Sequence, residues 1–129
     1  MDADALKMAT LFADLSAEDR QLASEHADEA TANAGEVLIE QGRWGFDFFV
    51  ILEGTADVFE GDTRVASVGP GDVLGEIGVM EGTLRTATVV ATTPMKLIVM
   101  DGRALRALSD THPDIYAELA RLITERRGS

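Results

Sequence analysis

The feature that most narrows what this chain can fold into is a glycine-punctuated, β-rich run over residues 35 to 100. Glycines stand at 35, 42, 45, 54, 61, 69, 71, 75, 78 and 82, and among them lie "EVLIE", "FFVILEG", "TADVFEG", "TRVASVGPG", "RTATVVA" and "MKLIVMD". These segments are rich in β-branched and aromatic residues and are separated by turn formers, the signature of successive short strands. Glycine reaches positive φ without a Cβ clash, so this density suits the corners of an antiparallel roll. No segment with a helical period interrupts the series, which argues against a Rossmann-type alternation of strand and helix.

The flanks read differently. Over residues 1 to 34, Leu6, Ala9, Leu11 and Phe12 fall at helical spacing. "LSAEDRQLASEHA" then offers Ser16 as an N-cap with Asp19 three residues on, close to a capping box. The whole stretch is expected to be a helical lead-in, with Leu15 and Leu22 facing the core. After Met100 the helical period returns: Asp101 is expected to cap "GRALRALSDT", and Pro113 suits the first turn of a further helix. Ile115, Leu119, Leu122 and Ile123 lie on one stripe of that helix. The expected architecture is α+β, mainly β: an antiparallel β-roll or jelly-roll barrel between N-terminal and C-terminal helices. Its parts are residues 1 to 34, 35 to 100 and 101 to 127, in a single domain of 129 residues.

Composition excludes several function classes. There is no cysteine and there are only two histidines, His26 and His112, far apart in sequence, so no thiolate or histidine-rich metal set is available. A cupin-like metalloenzyme is therefore disfavoured. No nucleophile, general base and oxyanion donor occur together, so no catalysis is expected. Acidic residues outnumber basic ones 23 to 11, for a net charge of -12. That balance, without a basic stripe, speaks against direct nucleic-acid binding. Arg121, Arg126 and Arg127 instead suit the end of a helix, where positive charge complements the dipole. No run approaches the roughly 20 apolar residues of a membrane span. The acidic N-terminus has the wrong sign for a signal peptide, so a cytoplasmic protein is expected.

Two stretches carry a family likeness. "GEVLIEQGRWGFDFFVILEGTADV" followed by "VGPGDVLGEIGVMEGTLRTATVVA" resembles the cyclic nucleotide-binding domain of catabolite-activator proteins, kinase regulatory subunits and gated ion channels. The likeness runs over about residues 10 to 125. Its most specific part is the phosphate-binding cassette, residues 75 to 88: a Gly-Glu pair, a short helix, then arginine and two small residues ahead of a strand. Glu76 and Arg85 stand in that order, nine positions apart.

The chemistry of these residues fits a cyclic phosphate. A guanidinium fork can satisfy two equatorial oxygens where an ammonium acts as a point charge, which makes Arg85 the candidate anion ligand. The run 77 to 81 is about one helical turn, and its first N–H groups, unpaired within the helix, can point at the same anion. Gly78 would allow close backbone approach. By resemblance, Glu76 accepts from the ribose 2′-hydroxyl, and Gly75, Glu76, Ile77, Gly78, Arg85, Thr86 and Ala87 form the ligand site. Arg85 is expected at the start of the following strand, carried by it into the barrel. Thr86 is either a contact to guanine or an ordinary β-branched strand residue. Tyr116, Leu119, Leu122 and Ile123 are the candidate base lid.

The resemblance implies a non-catalytic sensor for cyclic AMP, slightly favoured, or cyclic GMP. It needs no cofactor and acts through swinging of the C-terminal helix about a hinge near "DGRALRALSDTHPD". The chain ends at Ser129, so no attached effector domain is expected, and output would pass through a protein partner or self-association along the Ile115/Leu119/Leu122 stripe. The alternative is a ligand-free β-roll scaffold, with Arg85 and Glu76 paired to each other or to neighbours. The sequence departs from the family pattern at Leu84, where proline is frequent, and at Gly78, where alanine is. Trp44 and Phe46 occupy a turn that is usually more polar. They read as folded back onto the core or, alternatively, as an exposed partner surface.

Overall fold

A computed structural model of the chain describes residues 16–45, 47–75 and 84–102, together with 110, 113, 114, 117 and 121. Helix α1 (Ala17–Ser24) is followed by strands β1 (Ala27–Ala32), β2 (Val37–Ile39), β3 (Asp47–Glu53) and β4 (Ala56–Glu60). Then come β5 (Thr63–Val68), β6 (Val73–Leu74), β7 (Thr88–Ala91) and β8 (Met95–Asp101). The strands form two four-stranded sheets, in the orders β1-β8-β3-β6 and β2-β7-β4-β5. All pairings are antiparallel.

The α1 boundary follows its capping chemistry. Ser16 is the N-cap, its Oγ accepting from the Asp19 amide at 3.1 Å, and Glu18 and Asp19 place negative charge in the first turn. The helix is short, however, and the expected helical lead-in stops at Ser24. Residues 27 to 32 form strand β1, in register with β8 from Ala27↔Met100 to Ala32↔Met95. The sequence "ADEATA" has weak β-propensity, so this strand is decided by its long-range partner rather than by its own residues. Strand β6 is a second element that local pattern did not separate. Leu22 is half-buried; Leu15 lies outside the described residues.

The core lies between the sheets. Ile51, Leu74 and Leu97 of one sheet meet Ile39, Val58, Val89 and Ala91 of the other in a single buried cluster. The opposite face of the first sheet is buried as well: Phe48, Val50, Ile98 and Met100 are all 0% exposed. Two-sided burial explains why "FFVIL" and "LIVM" are continuous apolar runs rather than alternating ones. Of the C-terminal flank, positions 110, 113, 114, 117 and 121 are helical. Asp101 ends β8 and is bonded through its amide to the His26 carbonyl at 3.4 Å. No helix among the described residues is long and apolar enough to cross a membrane.

Candidate functional site

The site is built around Arg85. The chain enters it from β6, leaves it toward β7, and meets there the loop between β2 and β3. Gly42 donates its amide to the Arg85 carbonyl, and Arg85 donates its own amide to the Arg43 carbonyl, both at 2.9 Å. These two bonds fix the Arg85 backbone against the loop. Strand β7 starts only at Thr88, so Arg85 stands three residues ahead of the strand rather than at its first position. The register explains the difference: Thr88 is the first residue of this segment to pair with β4, opposite Phe59.

The side chain of Arg85 turns inward, and the residue is 8% exposed. Its Nη1 donates to the Gly75 carbonyl at 2.7 Å, and its Nη2 donates to the Asp47 carbonyl. A buried cation demands such acceptors, since an unsolvated guanidinium carries a large desolvation cost. Two glycines make the approach possible. A Cβ on Gly45 would lie 2.6 Å from Cζ of Arg85, and one on Gly75 would lie 2.6 Å from Nη1 and 3.2 Å from Cδ1 of Ile39. Gly75 also has φ of 83°, a left-handed conformation that disfavours any side chain.

Beside the guanidinium opens a cavity of about 360 Å³, lined by Ile39, Glu40, Arg43, Trp44, Phe49 and Arg85 among others. That volume falls within the range of small-molecule sites. Trp44 is 65% exposed, so it does not fold back onto the core. Phe46 lies outside the described residues.

Of the sequence-predicted site residues, the structure brings Gly75 and Arg85 into direct contact. Ala87 is 9% exposed and belongs to the inter-sheet core; Thr86 is exposed. Glu76, Ile77, Gly78 and the candidate lid residues Tyr116, Leu119, Leu122 and Ile123 lie outside the described residues. Sequence reasoning missed the β2–β3 loop as part of the site. Gly42 and Gly45 were visible as turn glycines, but nothing local ties them to a position some forty residues later. Among the described residues, no group of three or more histidine or acidic side chains is placed to hold a metal ion.

The two-sheet antiparallel roll thus places a buried arginine beside a cavity of ligand size. The model of the cyclic nucleotide-binding domain family matches residues 29–112, and the chain belongs to that family. A cAMP-dependent protein kinase regulatory subunit from Eremothecium gossypii is 32% identical over 98 residues, which cover 76% of this chain and 21% of the relative. The chain thus spans about one fifth of that relative's length. Two solved structures share the fold. One is a Geobacter metallireducens protein provisionally named as cyclic nucleotide-binding, with TM-score 0.88, 21% identity, and coverage of 98% of this chain and 95% of the other. The other is the regulatory domain of Toxoplasma gondii PKA crystallised with cAMP, with TM-score 0.76, 19% identity, and coverage of 95% and 48%.

Proposed function

We propose that this chain is a receptor for a 3′,5′-cyclic nucleotide, cyclic AMP before cyclic GMP, and that it regulates a partner without catalysis. The observation that carries this reading is the placement of Arg85: buried, inward, beside a cavity, and held at Gly75. In this reading the guanidinium exchanges carbonyl contacts for the equatorial oxygens of the cyclic phosphate, a charge-assisted pairing stronger than the neutral ones it replaces. Glu76 accepts from the ribose 2′-hydroxyl, and backbone amides of residues 77 to 81 add to the anion site. The name of the Eremothecium relative and the ligand of the Toxoplasma structure support cyclic AMP as the base preference. The output is movement of the C-terminal helix, with Tyr116, Leu119, Leu122 and Ile123 as lid residues. It passes to a protein effector or a second copy of the chain in the cytoplasm.

One observation favours a second reading. Arg85 bonds to main-chain carbonyls at Gly75 and Asp47, so it is already a bolt between β6 and β3 and would serve a ligand-free scaffold equally well. Thermal unfolding and calorimetric titration with cyclic AMP, cyclic GMP and linear 5′-AMP separate the two. A site filled to 100 times its dissociation constant adds about 2.7 kcal/mol, several degrees in Tm for a domain of this size. A shift with a cyclic nucleotide and none with the linear one is expected. No shift with any of them at millimolar concentration sinks the receptor reading and leaves the scaffold.

A further inference from the structure

Gln41 ties together three pieces of chain: the β2–β3 loop, the β4–β5 turn and the start of β7. Its side-chain Oε1 accepts from the Gly61 amide at 2.8 Å, in the turn between β4 and β5. Its own amide donates to Thr88 Oγ1 at 3.0 Å, at the first residue of β7. The next two residues then grip the Arg85 backbone, Gly42 through its amide and Arg43 through its carbonyl. Gly42 has φ of 83°, so the chain turns sharply between the Gln41 anchor and the Arg85 bonds. The loop therefore hangs from Gln41 on one side and holds Arg85 on the other.

From this geometry we infer that Gln41 is a positioning residue for the anion site: it sets where Arg85 stands by pinning the β2–β3 loop to the β4–β5 turn. The bond to Gly61 is exposed, and a single exposed hydrogen bond contributes little to global stability. Its effect is local, on the placement of a guanidinium that must meet its ligand within about 0.5 Å. The link also makes the β4–β5 turn a place from which the site can be perturbed at a distance. Gln41 touches no ligand in this assignment, and the inference rests on Arg85 being the phosphate fork.

The test uses Gln41→Leu, which removes the acceptor at similar size, and Gln41→Glu, which keeps one. Backbone amide hydrogen exchange is measured first, by NMR on the ligand-free proteins. In Gln41→Leu the Arg85 and Gly42 amides should exchange at least about 5-fold faster, while core amides such as Val50 and Ile98 stay unchanged; Gln41→Glu should restore protection. The dissociation constant for cyclic AMP should rise about 5-fold to 10-fold in Gln41→Leu and return to within about 2-fold in Gln41→Glu. Unchanged exchange at Arg85 and Gly42 overturns the inference, as does faster exchange throughout the core, which would mark Gln41 as merely structural. So does altered exchange with an unaltered dissociation constant. If the unmodified protein binds no cyclic nucleotide, the receptor reading fails on its own, and the exchange measurement still decides whether Gln41 positions Arg85.

Discussion

Arg85 and Gly75 meet side chain to carbonyl at 2.7 Å, so the two ends of the 76 to 83 segment are clasped by one hydrogen bond. The residue that opens the cassette and its arginine are thereby held together. A ligand that takes the guanidinium must offer it better acceptors than this carbonyl, which a charged phosphate does.

Replacing Arg85 by lysine keeps the charge and loses the fork. Calorimetric titration should show cyclic nucleotide binding weakened by about 10-fold to 100-fold, the worth of a charge-assisted hydrogen bond. Arg85→Leu should bind at least as weakly as the lysine variant. Arg85→Leu that keeps native affinity while losing several degrees of Tm would make Arg85 a structural bolt instead.

Gly45→Ala places a methyl group against the Arg85 guanidinium, 2.6 Å from Cζ. An arginine tip usually swings aside at little cost, but this one is tied to the carbonyls of Gly75 and Asp47. Displacing it should lower stability by about 1–3 kcal/mol, the cost of leaving buried partners unmet. Cyclic nucleotide affinity should fall in the same variant. Chemical denaturation and titration of the same preparation check both.

Two glycines with similar backbones should respond differently to alanine. Gly54 has φ of 91°, and a Cβ there would lie 2.9 Å from Cγ of Met95 and 3.0 Å from its Cα, while Gly35 has φ of 88° with nothing within 4 Å. Gly35→Ala should cost only the conformational penalty, about 1–2 kcal/mol. Gly54→Ala adds a clash with a buried strand start and should cost about 3 kcal/mol or more. Equal urea midpoints for the two variants would contradict the packing described at Met95.

Phe48 is 0% exposed on the face of the first sheet turned away from the second, and Val65 is 50% exposed on edge strand β5. Phe48→Ala should cost about 3–5 kcal/mol by cavity formation. Val65→Thr should stay within about 0.5 kcal/mol. Urea denaturation of both tests whether that outer face is packed as tightly as the inter-sheet core.

The outer hairpins were legible in the chain itself. Strands β2, β3, β4, β5, β7 and β8 follow from β-branched runs between glycines, because turn conformation and strand propensity are local properties. Ser16 was legible as an N-cap for the same reason, and the spacing of Glu76 and Arg85 marked the cassette. Strand β1 was not, since "ADEATA" becomes a strand only when β8 supplies its hydrogen-bonding partners. The exposure of Trp44 was not either, since burial depends on what the rest of the fold packs against a side chain. The sequence by itself determined the order of the strands between their glycine turns and the position of the arginine in the chain. Only the tertiary structure decided where that charge is held, because the acceptors at Gly75 and Asp47 and the brace at Gln41 are main-chain and side-chain groups that come together only when the two sheets close.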